Sequence, residues 1–189
     1  MKKLWIFVVQ HLMGWKYNIP PAGTQPEIER CVIIVAPHTS VSDFLIGATC
    51  LWKLGVNAKI FMKKEFFNWF TTPILKHFGV IPVDRGNRNN HLVEQAVEYY
   101  NTHPRFALTI TPEGTRKAVK RWKRGFYDIA IKAQVPIVPA YVDYKTKTMG
   151  VMKPFYPSGD FQTDLPIIMK YYENITPKHP ECYNKTVIK

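Results

Sequence analysis

Between Arg30 and Gly55 the chain changes its hydrophobic period once, and that change narrows the choice of fold more than any other feature. Cys31-Val32-Ile33-Ile34-Val35-Ala36 is an unbroken apolar run, mostly β-branched, that stops at Pro37. Such a run reads as a strand buried on both faces. Helix signals follow at once: Ser40 or Ser42 as N-cap, Asp43 in the first turn, apolar residues to about Leu54, and Gly55 as a stop.

The alternation continues downstream. Residues 57–62, 80–83 and 105–110 read as strands, and residues 89–101 as an amphipathic helix with Leu92, Val93, Ala96 and Val97 on one face. Residues 63–78 start basic, become rich in Phe66, Phe67, Trp69 and Phe70, and are expected to break at Pro73. Residues 126–134 have a helical pattern. Residues 135–141 read as a strand, and because Pro136 and Pro139 cannot donate ladder bonds, that strand is expected at an edge, short or bulged. After Lys147 the pattern weakens, with one strand expected near 167–172 and a loose tail over the last dozen residues. Strands alternating with helices over 189 residues define a single α/β domain, with a mixed, mostly parallel sheet flanked by helices.

The N-terminal segment, residues 1–20, stands apart from the domain proper, residues 21–189. It has a basic start, Lys2-Lys3, then an apolar run from Leu4 to Met13, without the small-residue cleavage site of a signal peptide. No stretch reaches the roughly 20 apolar residues that span a bilayer. As a helix the segment is apolar around most of its circumference, so it either packs on the domain or lies in a membrane interface with Trp5 and Trp15 at head-group depth.

Charge limits the partners. Lys and Arg total 26 against 14 Asp and Glu, a formal +12. Such a surface favours nucleic acid, anionic lipid or an acidic carrier protein. The three cysteines form no disulfide framework: Cys31 and Cys50 lie in apolar runs and are expected as core residues. Cys182 beside His179 is too few ligands for a metal site, so no metal is expected.

Two strings carry chemistry. His38 directly follows the first strand, and Asp43 lies in the opening turn of the next helix. With a turn between them, the carboxylate can accept from one imidazole nitrogen and leave the other to take a proton from a hydroxyl. A solvent-facing loop histidine beside a helix-terminal aspartate is the plainer alternative. The second string, Glu113-Gly114-Thr115-Arg116, begins where the strand at 105–110 ends, a usual position for binding groups in open α/β sheets. Gly114 permits a left-handed turn, Thr115 offers a hydroxyl, and Arg116 presents a planar fork for phosphate or carboxylate. Arg85, after another short strand, is a second candidate anion clamp. The alternatives are an ordinary turn with a salt-bridged Arg116, and an Arg85 paired with Asp84.

The order of these strings resembles the lysophospholipid (PlsC-type) glycerolipid acyltransferase family, which has four blocks in series: HxxxxD, a Gly-to-Arg block, an F-P-E-G-T-R-S-like block and a V-P-I-V-P-like block. Here they are His38 to Asp43, Gly79 to Arg85, Thr111 to Lys117, and Val135-Pro136-Ile137-Val138-Pro139. The resemblance spans roughly residues 30 to 145. It implies a glycerolipid acyltransferase-like fold, His38 as general base, and Asp43 as its orienter. It also implies an acceptor site shaped by Arg85, Glu113, Gly114, Thr115 and Arg116, with the two arginines on a phosphate and residues 135–139 as a wall. Two residues depart from the pattern: Thr111 replaces the usual Phe and Lys117 the usual Ser.

The implied activity is one-step transfer of a fatty acyl group from a thioester on coenzyme A or acyl carrier protein to a lysophospholipid hydroxyl. The default acceptor is 1-acylglycerol-3-phosphate, and another lyso-lipid, such as an amino-acid-derived one, is the alternative. The blocks contain no Cys and the chain no GxSxG elbow, which argues against a covalent acyl-enzyme. No cofactor is expected beyond the acyl donor. The expected partners are the membrane surface, the lipid and the donor, not nucleic acid. The expected location is cytoplasmic, peripheral on the inner face of the membrane. Rival readings are a nucleic-acid module using Arg121-Trp122-Lys123-Arg124, and an inactive lipid-binding relative.

Overall fold

The computed structural model describes residues 2–21, 23–83 and 92–186. Seven strands form one sheet: β1 (Lys16–Asn18), β2 (Arg30–Val35), β3 (Ala58–Lys63), β4 (Val80–Val83), β5 (Phe106–Ile110), β6 (Ile137–Asp143) and β7 (Thr148–Val151). Their order is β1-β7-β6-β2-β5-β3-β4, and only the β6–β7 pair is antiparallel.

The β-branched run becomes β2 because both of its faces are covered. Val32 and Ile34 point into one core layer, with Phe106, Phe126, Tyr127 and Tyr172. Cys31 and Ile33 point into the other, with Ile28, Ile46, Cys50 and Leu54. Each fully buried aliphatic side chain contributes roughly 1.5–3 kcal/mol. After the short helices α1 (Lys2–Phe7) and α2 (Pro26–Glu29), helix α3 (Val41–Leu54) covers the second layer; α5 (Leu92–Thr102), α6 (Gly125–Ala133) and α7 (Phe161–Lys170) cover the first. Ser40 is the N-cap of α3, in a reciprocal capping box with Asp43, and Gly55 ends the helix at φ 74°.

Several expectations fail for identifiable reasons. The strand expected at 135–141 is β6, with Pro136 just before it and Pro139 within it; it lies inside the sheet between β2 and β7 and is buried along its whole length. Pro139 is tolerated because it faces the stretch where the partner leaves the ladder. Its carbonyl accepts from the Met152 N–H at 2.8 Å, just past the end of β7, before Phe155 re-pairs with Ile137. The strand expected at 167–172 is the end of α7 and the turn after it. Leu165, Ile168 and Tyr172 bury one helical face, and Asp160 caps the start by accepting from the Gln162 N–H. Pro73 does not break its segment. It sits in the first turn of α4 (Thr71–His77), where the amide it lacks has no intrahelical partner. The short strands β1 and β7 carried no readable pattern.

The described residues near both termini are tied to the domain. Residues 2–7 are α-helical (α1, Lys2–Phe7), continuing into a wider turn at Val8–Leu12. Val9 and Trp15 are buried in the second layer, whereas Leu4, Phe7 and Leu12 are exposed. Of the expected loose tail, residues 178–186 are described. The His179 N–H donates to Thr39 Oγ1 at 3.2 Å, and Lys178 Nζ donates to Ser42 Oγ at 3.0 Å.

Candidate active site

The sheet order fixes where a site can form. From β2 the chain crosses through α3 to β3, on one side; from neighbouring β5 it crosses through α6 to β6, on the other. The two crossovers leave adjacent parallel strands in opposite directions and cover opposite faces, which opens a crevice at the strands' carboxyl ends. Residues 36–43 leave from β2 and residues 111–124 from β5. They meet where the His38 N–H donates to Glu113 Oε2 at 3.0 Å.

The turn after β2 brings the imidazole onto the helix start. His38 Nδ1 lies 3.2 Å from Asp43 Oδ2, and the imidazole is 18% exposed against 2% for the aspartate side chain. The same oxygen accepts from the Thr39 and Ser40 amides, each at 2.8 Å. The other, Oδ1, accepts from the Tyr144 hydroxyl at 2.7 Å. Burial alone would raise the Asp43 pKa, but hydrogen bonds from His38, Tyr144, Ser40 and Thr39 outweigh it and hold the carboxyl below its usual range. A carboxylate that stays ionised fixes the proton on Nδ1 and leaves Nε2 as the basic nitrogen.

The expected acceptor-site residues divide. Glu113 is buried and turned onto the His38 backbone, so it joins the two loops. Burial raises its pKa to about 8; the His38 N–H bond works against that rise and the nearby Asp43 charge adds to it. Gly114 has φ 66°, and a Cβ there would sit 2.8 Å from the Lys123 side chain, which folds over the turn. Thr115 and Arg116 are exposed, and Arg116 has no carboxylate partner among the described residues. Arg85 lies outside the described residues.

Tyr144, Thr39 and Lys178 are neighbours of the dyad that no sequence pattern marks. Tyr144 sits in the β6–β7 turn, 101 residues from the aspartate it bonds. Trp122, the aromatic of the basic run, is buried against Phe126 and Tyr172 and presents no face on which a base could stack. A surface groove of about 430 Å³ beside the N-terminal segment is lined by Gln10, His11, Gly14, Trp15, Lys16, Tyr17 and Lys53, and does not include the dyad.

An imidazole oriented by an ionised carboxylate, at the mouth of a crevice whose opposite loop carries an arginine with no carboxylate partner among the described residues, is suited to activating a hydroxyl on an anionic molecule. The chain belongs to the acyltransferase family, whose model matches residues 17–143. Among curated proteins it is similar to acl-2 of Caenorhabditis elegans, named as a 1-acyl-sn-glycerol-3-phosphate acyltransferase, with 27% identity over 169 residues. That match takes in 80% of this chain but 53% of the relative, so the chain spans about half the relative's length. Among solved structures it is similar to the 1-acyl-sn-glycerophosphate (LPA) acyltransferase PlsC from Thermotoga maritima, with a TM-score of 0.60 at 12% identity. The match covers 94% of this chain and 79% of that one. At that identity the likeness concerns the fold, a single α/β domain with a mostly parallel sheet.

Proposed function

We propose that this protein transfers a fatty acyl group from a thioester, on coenzyme A or acyl carrier protein, to the free hydroxyl of 1-acylglycerol-3-phosphate. The observation that carries the reading is the 3.2 Å contact between His38 Nδ1 and a buried, ionised Asp43. His38 Nε2 takes the hydroxyl proton as the oxygen attacks the thioester carbonyl. The tetrahedral intermediate expels the thiolate, which takes the proton back from the His38 imidazolium and leaves as a thiol. Arg116, with Arg85, holds the acceptor's phosphate. Holding both substrates in one crevice supplies much of the acceleration.

The reading includes peripheral association with the inner face of the membrane. Trp5 Nε1 donates to the Leu45 carbonyl of α3, and Phe78, just after α4, packs at a tilt against Phe44 and Trp52 of α3. The segments flanking α3 leave Leu4, Phe7, Phe66, Trp69, Phe70 and Ile74 exposed. These side chains, with the net charge of +12, suit an anionic bilayer surface. No helix among the described residues is long and apolar enough to cross a membrane.

Thr111 and Lys117, at either end of the anion-gripping loop, favour a second acceptor as the alternative: a lyso-lipid with a different head group. Thiol release from a thioester, measured against a panel of lyso-lipids, tests both. Transfer to lysophosphatidic acid that disappears in a folded His38→Ala protein is the expected result. Undiminished transfer by that variant sinks the mechanism.

A further inference from the structure

The two oxygens of Asp43 are served by different parts of the chain. Oδ2 takes three local donors, from His38, Thr39 and Ser40. Oδ1 takes the Tyr144 hydroxyl, at 2.7 Å. That phenol is aimed from both ends of the protein. Trp15 meets the Tyr144 ring edge-on, at 5.1 Å and 89°, and the Tyr144 N–H donates to the Thr176 carbonyl at 2.9 Å.

The direction of the tyrosine proton follows from its neighbours. The phenol oxygen lies 2.7 Å from Asp43 Oδ1 and 3.0 Å from Ser42 Oγ. A carboxylate only accepts, whereas Ser42 carries its own proton and already receives one from Lys178 Nζ at 3.0 Å. The single phenolic proton therefore goes to Asp43. Burial raises the Tyr144 pKa, and the adjacent Asp43 charge adds to the rise, so the donor persists through the neutral range.

The geometry points to Tyr144 as a positioning residue for the reaction proposed above. Its hydroxyl fixes the rotation of the Asp43 carboxylate and draws off part of its charge, so the aspartate orients His38 without trapping its proton. This inference rests on the general-base reading of His38. Among the described residues, the other ionisable groups near the dyad have their own neighbours: the His38 amide donates to Glu113, Lys178 donates to Ser42, Tyr183 faces Glu113, and the His179 ring pairs with Glu181.

Tyr144→Phe keeps the ring against Trp15 and deletes only the donor. A charge-assisted hydrogen bond of this kind corresponds to about a tenfold effect or more, so kcat should fall by roughly that factor. KM for both substrates should stay within about twofold, because Tyr144 touches Asp43 rather than a bound molecule. Without the phenol, Asp43 holds the imidazolium more strongly. The acid limb of the rate–pH profile should therefore move to higher pH, by on the order of half a unit. The titration midpoint of the His38 ring resonances in NMR should move the same way. 3-Fluorotyrosine at position 144, a stronger donor, should move both to lower pH.

A purely structural tyrosine predicts lost stability or lost rate with neither midpoint displaced, and that result overturns the proposal. If Tyr144→Phe does not fold, the fluorotyrosine protein decides alone: an unmoved His38 titration ends the idea. An inactive His38→Ala, together with an unmoved His38 titration in the Tyr144 proteins, sinks only the Tyr144 role. A fully active His38→Ala removes the general-base reading beneath it.

Discussion

The loops that leave β2 and β5 face each other across one crevice and are built on opposite plans. The first, residues 36–43, is held throughout: His38, Thr39 and Ser40 all bond Asp43, the far oxygen is taken by Tyr144, and the tail bonds Thr39 and Ser42. The second is anchored at its base, through Glu113 and through the Lys123 N–H on the Pro112 carbonyl at 2.8 Å, and farther along by the buried Trp122, while Thr115 and Arg116 between these anchors are exposed. Proton transfer requires fixed distances before the substrate arrives, whereas gripping a charged head requires donors not already spent on the protein. Under the proposed function, the contrast separates a pre-set reacting half from a half completed by its ligand.

The sharpest way to break that contrast is to spoil the held loop without changing its shape. Asp43→Asn should lower kcat by roughly 10²–10⁴-fold, because the amide no longer fixes the imidazole's tautomer, with KM little changed. Steady-state kinetics checks this, and a large rise in KM with normal kcat would place Asp43 on the binding side instead. Arg116→Ala should show the opposite signature. Losing charge-assisted bonds of about 1.5–3 kcal/mol should lower kcat/KM for a phosphate-bearing acceptor by roughly 10–100-fold, mostly through KM. An acceptor without the phosphate should be spared.

Glu113, where the loops join, sharpens the comparison through pH. Its folded pKa, about 8, lies above the unfolded carboxyl value. The folded state thus holds the proton longer, and stability falls as pH rises through the window between those two values, levelling above about 8. Glu113→Gln should remove that fall, a relative gain on the order of 2–4 kcal/mol at pH 9 over pH 5. Denaturant unfolding at the two pH values checks it; equal slopes for both proteins would mean that Glu113 is ionised in place. The smallest effect should come from Gly114→Ala, about 1–2 kcal/mol, because the residue must keep a left-handed φ while the flexible Lys123 side chain yields. A thermal melt reads it directly.

What the chain discloses by itself follows the range of each interaction. The strand run at 31–36, the Ser40 cap, the Gly55 stop and the turn carrying His38 toward Asp43 are local, set by residues within a few positions of one another. The antiparallel β7, the edge strand β1 and the interior place of β6 are not: three- and four-residue strands carry no period, and their partners lie far along the sequence. Pro139 misled because the ladder is interrupted where it faces, a property of its neighbour rather than of itself. The strand expected at 167–172 is likewise overruled by burial at helical spacing, Leu165 and Ile168 lying in the core from a helix that contains Pro166. Tyr144 was illegible for the plainest reason, since only folding brings it to Asp43.

The opposed exits of β2 and β5 have a consequence for how such a protein can change. Each half of the crevice belongs to a separate crossover, one running through α3 and the other through α6. Under the proposed function, substitutions in the second would alter which acceptor is admitted while the proton-moving pair stays in register, and the residues at 111 and 117 both lie on that second excursion.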